Sequence, residues 1–155
     1  MSQANIPNTA QITSDTGETG TTGGRLNYAD FFALMPPDNA APVAPGTDIS
    51  FPQDGPTSGT TITRTGPSSF NLSTIGTYEV IFQGSISEPG RLILTLNDAD
   101  LVHSMVPGMT LVQTTVSNSI LTVRNPTGNP KSITLIPFAG GTRAVSAHLV
   151  IIQIE

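Results

Sequence analysis

The last ten residues, Ser146 to Glu155, constrain the fold more than any other segment of the chain. They read S-A-H-L-V-I-I-Q-I-E and contain no turn residue. Because most of the aliphatic side chains are β-branched, the segment favours a strand over a helix. Apolar residues occupy both of its faces, which is typical of a strand covered on two sides. We therefore expect a central closing strand, buried between a sheet sandwich and a neighbouring subunit.

Short segments in which apolar and polar residues alternate recur along the chain, separated by Pro, Gly, Asn and Ser. The clearest is Thr77–Ile86, where alternation places Tyr78, Val80 and Phe82 on one face. Further strands are predicted at Leu26–Met35, Thr47–Phe51, Thr60–Thr65, Ser69–Leu72, Arg91–Asn97, Thr110–Val116, Ser119–Arg124 and Ser132–Phe138. No segment has the period of an amphipathic helix. The spacing predicts an all-β fold, either a β-sandwich or a jelly roll.

Turn residues and alternation make the strand predictions more specific. The Pro- and Gly-containing segment Pro52–Ser58 is predicted as a turn, and Ser117–Asn118 as the two-residue link of a hairpin. In the strand that precedes Asp98, alternation directs Leu92, Leu94 and Leu96 inward.

The composition excludes several classes of protein. A chain of 155 residues predicts one domain with a substantial core, and only 11% of its residues are charged. The net charge of −5 and the single lysine, Lys131, argue against nucleic-acid binding. Cysteine is absent, so no disulfide or thiolate is expected. No segment is long and apolar enough to span a bilayer, and Met1–Asp15 does not resemble a secretory signal peptide.

Residues 1–24 differ in composition from the body, residues 25–155, and we interpret them as an extended connector tail. The tail is apolar almost only at Ile6 and Ile12, so it cannot form a core of its own. Gly17, Gly20 and Gly23 recur with a period of three, as in collagen. Two triplets without proline are too few to hold a triple helix, and a Gly/Thr linker is the simpler interpretation. Its spaced isoleucines suit strand addition to a neighbouring chain.

Few residues carry potential chemistry. The segment Asn97–Asp100 places three oxygen-bearing side chains together, and Asp98 and Asp100 are weak candidates for a hard cation such as calcium. An exposed hairpin turn explains the same segment. His103 and His148 are the only imidazoles, and His148 on the closing strand is expected to be a hydrogen-bonded interface residue. The chain has no nucleophile elbow or phosphate-binding loop, so neither an enzyme nor a cofactor is expected.

Five runs of sequence together carry a resemblance to a known family. The runs are Y-A-D-F-F-A-L-M-P-P-D-N (Tyr28–Asn39), I-S-F-P-Q-D-G-P (Ile49–Pro56), F-N-L-S-T-I-G-T-Y-E-V (Phe70–Val80), L-T-V-R-N-P (Leu121–Pro126) and V-S-A-H-L-V-I (Val145–Ile151). With them the chain resembles the C-terminal domain of collagen-like proteins from spore-forming Firmicutes, the exosporium BclA-like group. The resemblance covers nearly all of Leu26–Glu155.

The resemblance implies a jelly roll of the tumour-necrosis-factor-like, or complement-like, type that assembles as a tight trimer. In this family the domain usually ends a Gly-X-Thr collagen stalk, so the three tail glycines resemble the remnant of a stalk. The resemblance also implies a location on the spore surface, or exosporium, to which a protein without a signal peptide can be delivered from the mother cell. Two departures are the near loss of the stalk and a short segment Asp98–Met109.

These observations lead to the hypothesis of a structural subunit of a spore-surface fibre or appendage. Its expected partners are two copies in a homotrimer, neighbouring trimers and a spore-surface anchoring protein, with no nucleic acid or membrane. The expected trimer interface consists of Tyr78, Phe82, His148, Leu149 and Ile151. The expected connector between trimers consists of Ile6, Ile12, Gly17, Gly20 and Gly23.

Two other functions stay open at this point. One is a fibre-tip or phage receptor-binding module, which would hold a glycan or receptor in loops such as Asp98–Gly108. The other is an enzyme, which would need a metal at Asp98 and Asp100 with His103 nearby.

Overall fold

The computed structural model describes residues 24–105 and 108–155, and within them the chain is all-β apart from one short 3-10 helix at Val102–Ser104. The strands form two five-stranded antiparallel sheets. The first sheet contains, in spatial order, β2 (Gln53–Ser58), β1 (Tyr28–Met35), β10 (Ala144–Gln153), β5 (Thr77–Gly84) and β8 (Gly108–Gln113). The second contains β3 (Ile62–Arg64), β4 (Phe70–Leu72), β9 (Ser119–Arg124), β6 (Ile93–Leu96) and β7 (Ala99–Leu101). The predicted fold class is therefore confirmed at the level of an all-β sandwich.

The predicted closing strand is the central strand of the first sheet. β10 pairs with β1 on one side and with β5 on the other, so that Leu149 lies between Phe31 and Phe82. One face of β10 is fully buried at Leu149 and Ile151. The other face is half-buried at His148, Val150 and Ile152. A long, β-branched apolar strand suits such an interior position, where both of its edges are paired.

The inner faces of the two sheets pack against each other to form the core. Phe31 of the first sheet and Phe70 of the second have ring centroids 4.7 Å apart, and Phe51 adds a T-shaped contact with Phe70 at 6.0 Å. Tyr78 is fully buried, and its hydroxyl donates a hydrogen bond to the Thr74 carbonyl at 2.8 Å. The alternation predicted for β5 is thus confirmed, since the aromatic and aliphatic side chains of one face enter this core.

The structure corrects four of the five residues expected at a subunit interface. Tyr78, Leu149 and Ile151 are 0% exposed and Phe82 is 3% exposed in the single chain. Their side chains belong to the core cluster that joins the two sheets. Because side chains of a strand alternate between its faces, the outer face carries their sequence neighbours instead. The sequence correctly groups these four side chains on the inner face of their strands, but that face packs against the second sheet of the same chain.

Several predicted turns and strands also differ from the structure. The expected turn Pro52–Ser58 contains the edge strand β2, and Ser117–Asn118 connects strands of different sheets instead of closing a hairpin. The predicted strand Ser132–Phe138 makes only isolated bridges, at Ile133 with Val43 and at Leu135 with Ile86. The expected strand Thr47–Phe51 is likewise reduced to one bridge, between Asp48 and Arg124.

The two ends of the sandwich are built differently. At one end, which we call the terminal end, the beginning and the end of the body meet: the Asn27 side-chain amide donates to the Gln153 side chain at 2.9 Å. The other end, which we call the distal end, consists of the long segments 36–52, 85–92 and 125–143. β10 runs from the distal end to the terminal end over ten residues, which at ~3.3 Å per residue is about 33 Å.

Candidate functional site

The outer face of the first sheet carries an apolar band, which Glu79 interrupts between Ile152 and Leu111. Register places Ile152 opposite Tyr28, and Ile81 between Val150 and Met109. The half-buried members are Phe32, Ile81, Val150 and Ile152, and the exposed members are Tyr28 (40% exposed), Met109 (64%) and Leu111 (55%). We call these seven residues the outer apolar band. It crosses four neighbouring strands, from β1 through β10 and β5 to β8.

One hydrogen-bonded pair of polar side chains lies beside the outer apolar band. The Nε2 atom of His148 is 2.6 Å from Oδ1 of Asp30, on the neighbouring strand. Gly55 in β2 leaves the room that this carboxylate occupies, because a Cβ at that position would lie 3.0 Å from the Asp30 Cγ. Both side chains are less than half exposed. Of the five predicted interface residues, only His148 lies on this outer face.

The outer face of the second sheet has the opposite character. Asp48 accepts a hydrogen bond from Thr122 at 3.0 Å, and the Arg124 Nε atom lies 2.7 Å from the same carboxylate. Thr95, which is fully buried, adds a hydroxyl contact with Thr122 at 2.6 Å. The hydrogen bond with Asp48, together with the contact to Asp98, raises the pKa of Arg124. Since polar groups cover this sheet and apolar groups cover the other, the first sheet is the candidate for a partner.

The weak cation candidates are engaged in other contacts. Asp98 and Asn97 form the two-residue turn between β6 and β7, with φ values of 70° and 50°. The Asp98 carboxylate lies 2.6 Å from the Arg124 guanidinium. Asp100 is exposed in β7, and the His103 Nε2 atom is 3.1 Å from the Leu111 carbonyl oxygen. Within residues 24–105 and 108–155, no three His, Asp or Glu side chains group as metal ligands would.

A cleft opens at the distal end beside β5 and β8. It has a volume of about 520 Å³, within the range of about 300–1,000 Å³ typical of ligand pockets. Its lining includes Phe82, Ile86, Arg91, Leu92, Met105 and Phe138. We call it the distal cleft. The predicted ligand loop Asp98–Gly108 contributes to it at Met105 and Gly108. The sequence signal for the cleft is weak, because its residues come from four separate segments.

Two further expectations concern the N-terminal tail and the membrane. The predicted connector residues Ile6, Ile12, Gly17, Gly20 and Gly23 lie outside the residues that the structure describes. In the described part of the chain, no helix has the length and hydropathy needed to cross a membrane.

The comparisons with protein-family models and with curated proteins identify no relative of the chain. No protein-family model matches the chain. The curated proteins compared with it give no match either.

Proposed function

We propose that the protein is a trimeric structural subunit of a bacterial spore-surface fibre, in which the N-terminal tail joins trimers head to tail. The observation that carries the proposal is the distribution of exposed apolar side chains. Among the described residues, the large ones that are at least 36% exposed lie on the outer face of the first sheet or at the two ends of the sandwich, with the exception of Val102 in the 3-10 helix between β7 and β8. These are the surfaces that a stacked trimer would cover. The spore-surface location rests on the resemblance to the exosporium BclA-like group.

The path of the chain supports a jelly roll of the tumour-necrosis-factor-like type. After the pairs β1–β2 and β3–β4, the chain places β5 in the first sheet, β6 and β7 in the second, β8 in the first, β9 in the second and β10 in the first. Repeated crossing between two sheets is the connectivity of a jelly roll, in contrast to a meander that completes one sheet before the next. The fold expected from the resemblance is consistent with this path.

The outer apolar band supports the trimer. A solvent-facing side of an antiparallel sheet is normally polar, and contiguous exposed apolar residues mark an interaction surface. In our proposal the interface therefore uses Tyr28, Ile81, Val150 and Ile152, in place of the core residues expected from the sequence. The Asp30 and His148 side chains would enter the interface already hydrogen-bonded to each other, which limits the cost of removing them from water.

The two ends support growth in one direction. The terminal end exposes Leu26 (59%), Ile75 (61%), Val116 (53%) and Ile154 (47%). The distal end exposes Ile136 (37%) and Phe138 (47%) beside the cleft. Because these surfaces differ, contact between the ends of two copies is heterologous. A heterologous contact produces an open filament when its rotation does not close a ring.

Electron microscopy of the purified full-length protein tests the proposal. We expect filaments from the natural chain, and isolated trimers from a variant with Ile6→Asp and Ile12→Asp and from a chain that starts at Gly24. Filaments that persist in the double variant would reject the tail as the connector. A natural chain that forms only isolated trimers would instead favour the second candidate, a fibre-tip or receptor-binding module. The distal cleft is the observation that favours this second candidate.

A further inference from the structure

The distal cleft combines an apolar interior with a cation. Phe82, Ile86, Leu92 and Phe138 supply the apolar lining, and Phe138 is 47% exposed although it is a large aromatic residue. Arg91 lies on the cleft and is exposed. Its guanidinium has a weak contact with the Met105 sulfur at 3.9 Å. A ligand that matches this site presents a branched apolar side chain with a carboxylate near it.

The cleft and the N-terminal segment differ in the sign of their charge. Arg91, Lys131 and Arg143 are exposed at the distal end, and within residues 24–105 and 108–155 none of them forms an ion pair. By contrast, residues 1–23 contain Asp15 and Glu18 and no lysine or arginine. The segment is therefore acidic, and Arg91 is the one charged residue in the lining of the cleft, which provides electrostatic complementarity between the two.

The open edge of the first sheet begins at the same place. Gly108, which lines the cleft, is the first residue of β8, and β8 is an edge strand of the described sheet. The backbone groups on the free side of an edge strand can accept an added strand from another chain. A segment that places a side chain in the cleft can therefore also pair through its backbone with the start of β8, before Leu111, whose carbonyl oxygen lies 3.1 Å from His103 Nε2.

The length of the N-terminal segment favours the distal cleft of a neighbouring copy over that of its own copy. Ile12 precedes Gly24 by 12 residues, which span at most about 40 Å when fully extended. The body begins at the terminal end, so reaching the distal cleft of the same copy would use about 33 Å of that length along the sandwich alone. The distal cleft of a copy stacked on the terminal end is adjacent. The neighbouring copy is therefore the easier partner to reach.

We propose that the N-terminal segment of each copy docks into the distal cleft of a neighbouring copy, with Ile12 in the apolar interior and Asp15 beside Arg91. This inference rests on the proposed function and assigns the site through which the fibre grows. Ile12 supplies the branched apolar side chain, and Asp15, three residues closer to the body, supplies the carboxylate.

Cysteine cross-linking between full-length chains tests the contact directly, because the natural chain has no cysteine. We mix a tagged Ile12→Cys variant with an untagged Phe138→Cys variant, oxidise the mixture and measure the tagged–untagged dimer on a denaturing gel. We expect several-fold more of this dimer than with Thr63→Cys, an exposed control site on the second sheet. Equal yields from the two sites would overturn the proposal. So would a disulfide that forms only within a chain carrying both Ile12→Cys and Phe138→Cys.

A charge exchange separates this inference from the proposed function. We expect Arg91→Glu to shorten the fibres several-fold, Asp15→Lys to do the same, and the two changes together to restore most of the length. Lys131→Glu is the matched control, since it makes the same change of charge at the same end outside the cleft lining. If Arg91→Glu has no more effect than Lys131→Glu while Ile6→Asp with Ile12→Asp still abolishes fibres, the tail docks elsewhere and only this inference fails. If the natural chain forms no fibres, both proposals fail.

Discussion

At the scale of single residues, the Thr122 hydroxyl on the outer face of the second sheet has two hydrogen-bond partners, Asp48 and Thr95. This hydroxyl has one hydrogen and donates it to Asp48, so the hydroxyl of Thr95 must donate to Thr122. Thr95 is 0% exposed, and Thr122 is its one side-chain partner in the described residues. Thr122 therefore links a buried hydroxyl to a carboxylate that also holds Arg124.

We expect Thr122→Val to lower the free energy of unfolding by about 1–3 kcal/mol, because it leaves the buried Thr95 hydroxyl without an acceptor. The reverse change, Thr95→Val, is the matched control. It removes the end of the chain of hydrogen bonds and leaves Thr122 its bond to Asp48, so its cost should be about 0.5–1.5 kcal/mol. Urea denaturation at one protein concentration measures both. Equal losses for the two variants would contradict the proposed order of donors.

The sequence predicts the inward-facing residues better than the covered polar ones. Alternation correctly directs Leu94 into the core and Leu92 and Leu96 against it. The same alternation assigns Thr95 to the outer face, where a polar residue is expected to be solvated. Thr95 is buried there because Thr122 and Asp48 lie over it, and Asp48 is 74 residues distant from Thr122 in the chain. Such a contact between distant segments has no periodic signal.

At the scale of elements, the segments whose secondary structure was predicted wrongly differ in the backbone hydrogen-bond partners that they find. β2 has little strand propensity and contains Gly55 and Pro56, yet it pairs with β1 across a bulge opposite Asp30. Bulges and edges are where a sheet tolerates such residues. Ser132–Phe138 has the better strand pattern but finds a partner only at isolated bridges. Propensity describes fit to a pleated surface, and the available neighbour decides whether a strand forms.

At the distal end, the Glu88 carboxylate joins the segments 85–92 and 125–143 through two hydrogen bonds from Thr134, an arrangement that we call the carboxylate clamp. The Thr134 backbone N–H donates to Glu88 at 2.8 Å, and the Thr134 hydroxyl donates to the other carboxylate oxygen at 2.8 Å. These bonds favour the ionised form and lower the pKa of Glu88 from its ordinary value of 4.5. The neighbouring residue Ile86 lines the distal cleft, so the clamp also supports one wall of that site.

We expect Glu88→Gln to reduce stability at pH 7, and the difference from the natural protein to narrow as the pH falls. The sign follows from the lowered pKa: the stabilising effect is present above the unfolded value near 4.5 and is lost as the pH falls through the folded value. Thermal unfolding between pH 7 and pH 3 measures the difference. In Thr134→Val, which removes one donor, replacement of Glu88 should have a smaller effect. Parallel curves for the natural protein and Glu88→Gln would refute the clamp.

At the scale of the whole molecule, the sequence of β10 indicates two buried faces, but a single chain fully buries only one of them. Its two apolar faces indicate a cover on each side, and the second sheet provides one of them. The other face, with Val150 and Ile152, is only half-buried. The sequence could indicate that a second cover is needed. It could not indicate which set of side chains faces it, because either face of an apolar strand can pack on the partner sheet.

We expect Ile81→Lys, at the centre of the outer apolar band, to convert trimers into single chains of 16.1 kDa that remain folded. In an isolated chain the ammonium group can reach water, but in the interface it would be an unpaired buried charge that costs about 3–5 kcal/mol. Light scattering after size-exclusion chromatography gives the mass, and circular dichroism checks that the strands persist. Thr63→Lys, on the second sheet, is the control and should leave the natural mass unchanged. If Ile81→Lys keeps the natural mass, the outer apolar band is not the subunit interface and the trimer must form through another surface.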